Sequence, residues 1–158
     1  DAANPSPTIV GGGSPTFASW AKETGWECSP GTPVFWDVGY GDSYPDLKFQ
    51  KAIALLTRVI SKPAANRICL DLGYKAVASE MPLEKRVSIP AIEEAILVGH
   101  SEEHLVIETP MASTFPIGQP LLAFPRHVCP TVALHAFATV VQQGRVTDQQ
   151  WQVTARDR

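Results

Sequence analysis

Short apolar runs separated by proline, glycine and polar residues recur along most of the chain. The runs are PVFWDV (33–38), AIALLTRVIS (52–61), RICLDL (67–72), KRVSI (85–89), AILVGHS (95–101), HLVIET (104–109), PLLAFPRHVC (120–129), FATVVQQ (137–143) and RVTDQQWQVTAR (145–156). Most are rich in β-branched or aromatic residues and bounded by turn formers, the pattern of a mainly β domain. Gln143-Gly144, between the last two runs, reads as a hairpin turn. Near the start, PTIV (7–10) reads as the end of a buried strand, and the GGGSP that follows as an irregular turn, because glycine enters positive φ so freely. TFASWAKET then predicts a helix over 16–24 with Thr16 as its N-cap. FQKAIALLTRVIS is ambiguous: its apolar positions 49, 52, 53, 56 and 60 would also suit a helix, and it is read as a helical turn passing into a strand. No internal repeat or low-complexity segment interrupts the series, and no linker divides the chain after the helix.

Composition narrows the class. A chain of 158 residues with 44% hydrophobic and 18% charged residues is the size of one globular domain with a real core. No uninterrupted apolar run approaches the ~18 residues of a membrane span. The opening DAANPSPTIV lacks the basic and long apolar regions of a secretory signal, so a cytoplasmic protein is expected, although the chain does not begin with Met. The net charge of -3, with no basic cluster longer than Lys85-Arg86, argues against nucleic acid as a partner. Cys28, Cys69 and Cys129 are odd in number and far apart, which points to free or metal-bound thiols rather than a disulfide framework.

Two features carry candidate chemistry. In an extended stretch, His127 and Cys129 would project from one face, while Pro130 would end or bend the strand. Imidazole and thiolate are good zinc donors, and two protein ligands leave coordination positions open for water or substrate. The same spacing also suits a partly buried histidine beside a core cysteine. His135 could add a third ligand or lie on the surface. The second feature is Gly11-Gly12-Gly13 with Ser14 and Thr16, where backbone N–H groups, hydroxyls and a helix start would cradle a phosphate. The same glycines could simply form a tight turn. They match neither the dinucleotide fingerprint nor the P-loop.

GGGSPTF, ECSPGTPVFWDVGY, LLTRVISKP, CLDLGYKAVASE, HSEEHLVIET, PRHVCPTVALH and QQGRV…WQVTARDR, taken in order, span nearly the whole chain. In these pieces the chain resembles the C-terminal portion of the D-threonine aldolase and D-serine dehydratase family, metal-activated pyridoxal phosphate enzymes of alanine-racemase-like architecture. The resemblance implies a (β/α)8 barrel carrying the Schiff-base lysine upstream and a β-domain that closes the active site. Residues 1–25 would then be the last strand, phosphate loop and helix of a barrel otherwise absent, and 26–158 the C-terminal β-domain with its metal site. It further implies that Gly11, Gly12, Gly13, Ser14 and Thr16 hold the cofactor phosphate and that His127 and Cys129 hold the metal. The cysteine favours zinc, whereas the carboxylate common in the aldolase branch would suit manganese. A D-amino acid would be the substrate, cleaved by retro-aldol chemistry or dehydrated, and the missing barrel the main partner. A homodimer is left open, with Tyr40 reaching toward a partner subunit's cofactor. The same residues could also make a stand-alone metal-binding β-domain without enzymatic activity. Lys75 is read as peripheral. The HSEEH run (100–104) is read either as a solvated hairpin tip or as part of the active-site lining, and Asp37 belongs to a family motif whose role is open.

Overall fold

The computed structural model describes residues 6–156, so the first five residues of the unit read as 1–25 lie outside the description. The element order is β1 (Ile9–Gly12), α1 (Phe17–Trp20), β2 (Trp26–Ser29), a 3-10 turn (Thr32–Val34), α2 (Val38–Ser43), β3 (Leu55–Ala64) and β4 (Arg67–Leu70). It continues with β5 (Val87–Ser88), β6 (Ile96–His100), β7 (Leu105–Glu108), β8 (Pro120–Pro125), α3 (Val128–Ala133), β9 (Phe137–Gln142) and β10 (Arg145–Gln152), with further 3-10 turns at Leu83–Lys85 and Ala112–Thr114. None of the helices among the described residues is long and apolar enough to cross a membrane.

Six strands form one antiparallel sheet in the order β5-β8-β3-β4-β7-β6. The period-2 alternation in the sequence becomes its inner face: Thr57 and Val59 of β3, Leu121 and Ala123 of β8, and Leu105 and Ile107 of β7 are buried, while Leu56 and Leu122 point out. Ile68 and Leu70 of β4 join them, and Leu72, Val77, Val87, Ile89, Ile92 and Phe115 from the connecting segments close the core. The final hairpin turns at Gln143 (φ 50°) and Gly144 (φ 75°), both left-handed as a tight two-residue connection requires.

Several expectations change. FQKAIALLTRVIS contains no helical turn; it enters β3 directly, paired to β4 on one side and β8 on the other. The helix expected over 16–24 is a single turn, Phe17–Trp20, with no buried residue to anchor a longer one. PVFWDV is not a strand. Pro33 sits inside the 3-10 turn, Trp36 takes φ 51°, and the buried Asp37 accepts the Tyr40 N–H at 2.8 Å, starting α2 instead. PTIV does not end in a buried strand, for Ile9 and Val10 are 47% and 53% exposed. Nor does β1 stand alone as a last strand. Trp26–Ser29 pairs with it in parallel, from Ile9 opposite Trp26 to Gly12 opposite Ser29, a strand that the sequence pattern did not reveal.

Candidate functional site

The strand expected to run through Cys129 stops at Pro125, and His127 and Cys129 do not share the face of a strand. His127 is the extended N-cap of α3, and Cys129 lies in that helix's first turn. The chain turns here because Asp37 draws it in. Its second carboxylate oxygen accepts the Val128 N–H at 3.0 Å, so one buried side chain caps both α2 and α3. Gly39 locks the same junction by donating its N–H to the Arg126 carbonyl at 3.0 Å; a Cβ at Gly39 would lie 2.6 Å from that oxygen. Pro130 suits the first helical turn, where its missing N–H would have had no partner.

The segment after β4 runs along α3 in steps of two against steps of four. Ala76 O accepts His135 Nε2–H at 2.8 Å, Ala78 N–H donates to Thr131 Oγ1 at 3.2 Å, and Glu80 Oε1 meets His127 Nδ1 at 2.6 Å. His135 is therefore engaged by a backbone carbonyl, while His127 gains a carboxylate partner. Both His127 and Cys129 are exposed. The Cys129 sulfur lies 3.5 Å from the buried Thr32 hydroxyl, and the Thr32 N–H donates to Ser14 Oγ at 3.1 Å. A short polar chain thus joins the glycine loop to the thiol. An aromatic series, Phe17, Phe49, Trp36, Tyr40 and Tyr44, with successive ring centroids 5.0–6.0 Å apart, ties α1 to α2 beside it. Burial, then the neighbouring Asp37, Cys129 and Tyr44, pushes the Tyr40 phenol above its ordinary pKa, so it stays a neutral hydroxyl.

In the glycine loop, Gly11 is buried and must be glycine for a packing reason, since a Cβ would come within 2.6 Å of Trp20. Gly12 is open, with no atom within 4 Å of where a Cβ would stand, and Gly13 takes φ +89°. The Thr16 hydroxyl is used locally: it donates to Gly12 O at 3.0 Å and accepts Trp20 Nε1–H at 3.2 Å. Ser14 is buried against Thr32. The open side of Gly12 and the left-handed Gly13 fit a phosphate cradle.

In the HSEEH run, His100 ends β6 and residues 101–104 form the β6–β7 connection. Glu102 and Glu103 pair with Lys75 at 2.7 and 3.1 Å on the surface, a solvated tip of the kind read from the sequence. The backbone of Gly73 docks so closely there that a Cβ would collide with Glu102. His100 is partly buried. Its desolvation, then the Arg86 charge, lowers its pKa, so the neutral ring accepts from Arg86 through Nδ1 at 2.9 Å and donates from Nε2 to Leu72 O at 3.2 Å.

An imidazole and a thiol with a carboxylate behind the histidine are a donor set that could hold zinc with open positions, and among the described residues there is no cluster of three ligating groups. Glu80 and Thr32 were missed in the sequence. Neither stands at a recognisable spacing from His127 or Cys129, being 47 and 97 positions away from their partners.

Known proteins add the wider frame. The chain is 33% identical over 154 residues to D-threonine aldolase from Arthrobacter sp., covering 94% of this chain but 39% of that protein. The crystal structure of D-threonine aldolase from Filomicrobium marinum superposes with a TM-score of 0.81 at 28% identity, over 94% of this chain and 41% of that one. D-threo-3-hydroxyaspartate dehydratase has the same fold. Its histidine-to-alanine variant matches with a TM-score of 0.72 at 22% identity over 92% of this chain and 42% of that one. A cysteine-to-alanine variant two positions further on, in the metal-free form, gives 0.71 at 21% over 92% and 44%. These likenesses bear out the mainly β, alanine-racemase-like domain expected from the sequence. The family model described as "Putative serine dehydratase domain" matches residues 52–141, and the chain belongs to that family.

Proposed function

We propose that the chain is the C-terminal portion of a pyridoxal-phosphate- and metal-dependent lyase acting on D-β-hydroxy amino acids, with His127 and Cys129 as zinc ligands. The observation that carries this reading is the His127–Glu80 contact beside Cys129. A carboxylate on Nδ1 leaves Nε2 as the free donor nitrogen, and the thiol stands in the first turn of α3 within reach of the Thr32 hydroxyl. The His-x-Cys spacing equals that of the two positions substituted in the dehydratase variants, one of which is metal-free.

Bound pyridoxal phosphate would supply an electron sink at the substrate's Cα, and zinc a Lewis acid for its β-hydroxyl oxygen. This chain's part is binding and positioning. Gly12 and Gly13 offer the open cradle for the phosphate. The Thr32 hydroxyl can donate to a Cys129 thiolate, and Asp37 fixes the backbone that presents both ligands. His127 and Cys129 would serve cleavage and dehydration alike. The parallel pairing of β2 with β1 favours grouping residues up to Ser29 with the glycine loop. On this reading the barrel and its Schiff-base lysine belong to the rest of a longer protein, in keeping with the 39% and 41% of the two aldolases that the chain spans, and Lys75, paired with the acidic tip, has no part in it.

Elemental analysis tests the reading. The chain should carry one zinc, and Cys129→Ala should abolish it; unchanged zinc in that variant sinks the assignment. The chain alone, supplied with cofactor and zinc, should release no glycine or acetaldehyde from D-threonine, and turnover above the protein-free control would return Lys75 to consideration.

A further inference from the structure

Glu80 has so far served only as support for the ligand reading, and its carboxylate lies 2.6 Å from His127 Nδ1. Among the described residues that ring is the carboxylate's one described partner. The nearby cations are engaged elsewhere: Arg126 with Asp42 at 2.8 Å, Arg86 with His100 and the Met81 carbonyl, and Lys75 with Glu102 and Glu103. An ionised carboxylate can only accept, so a contact of this length requires the proton to be on Nδ1, and the lone pair of a neutral ring is then on Nε2.

The contact is built by the backbone rather than by chance approach of two long side chains. Ala76, Ala78 and Glu80 step past His135, Thr131 and His127, and in the first two steps a backbone group of the segment bonds the His135 or Thr131 side chain, which holds the segment in register. Thr131 also donates to His127 O at 2.8 Å, fixing the histidine's backbone from the same side. Glu80 is thereby delivered to the ring at a set height on the helix.

We infer that Glu80 is a positioning residue for His127, holding the imidazole in the Nδ1–H tautomer and so setting the zinc affinity of the site. The inference rests on the metal reading above. It predicts that orientation exists before the ion arrives, in the metal-free protein.

Two measurements on the 158-residue chain test it. Nitrogen-15 NMR of the metal-free protein reports the ring tautomer of His127, and competition with a chromophoric chelator reports zinc affinity. The wild-type ring should be Nδ1–H. Glu80→Ala should release it toward the other tautomer and weaken zinc binding about 10- to 100-fold, with an unchanged melting temperature because Glu80 is exposed. Glu80→Gln keeps an acceptor oxygen and should restore the Nδ1–H form and most of the affinity. Zinc bound through His127 and Cys129 but held equally well by Glu80→Ala, or an unchanged tautomer in that variant, would overturn the positioning role while leaving the metal reading intact. A wild-type chain that binds no zinc overturns the metal reading and this inference with it.

Discussion

The six-stranded sheet and the shell around His127 and Cys129 are held in opposite ways. Ile68, Leu70, Leu105 and Ile107 are 0% exposed and belong to one apolar core cluster. In the shell, the buried polar residues Ser14, Thr32, Asp37 and Thr131 are each joined to another segment by a hydrogen bond. Apolar contact is non-directional and scales with area, so the sheet tolerates small shifts. A hydrogen bond depends on distance and angle, so the shell fixes where His127 and Cys129 stand. The sheet supplies stability, and the shell converts it into geometry.

Leu70→Ala probes the first half of that contrast. It should cost the most, about 2–5 kcal/mol in urea unfolding, while the fraction still folded keeps its zinc. Asp37→Ala probes the second. Losing the acceptor for Tyr40 and Val128 N–H should cost about 2–3 kcal/mol, and the folded protein should bind zinc more weakly because α3 loses its start. Equal zinc affinity in that variant would break the contrast. The smallest effect concerns pH. Burial and Arg86 hold the His100 pKa below its ordinary 6.5, so the folded state takes up a proton less readily than the unfolded one. Its contribution is complete above about 6.5 and declines as pH falls from there toward the folded value. In His100→Gln, which keeps an acceptor and a donor, the slope of stability against pH below 6.5 should flatten; an unchanged slope would assign it to other groups.

The sheet was legible in the sequence because alternation at Leu121, Ala123 and Pro125 or at Leu105 and Ile107 is a local signal. The end of β8 was not. PLLAFPRHVC reads as one apolar run, and what stops it is Asp37, 91 positions from Val128. The four residues of β2 offer no alternation to detect, since their pattern is set by pairing with β1. The glycine loop was visible as composition, but which glycine is open and which is packed against Trp20 depends on where α1 ends. His127 and Cys129 stood out as a candidate pair by type and spacing. The carboxylate behind it was a single glutamate among many.

The two halves of the site differ in how far apart their members lie along the chain. His127 and Cys129 are near neighbours in any conformation, whereas their supports come from 47 and 97 positions away. On the proposed metal reading, an unfolded chain retains both residues and would still bind zinc loosely. The ion stabilises the fold only by the ratio of its affinities for the two states, and that ratio resides in Glu80, Thr32 and Asp37 rather than in the ligands. Because contacts of such long separation close late in folding, zinc present from the outset has nothing oriented to grip until the sheet is made. Zinc should then slow unfolding more than it speeds folding.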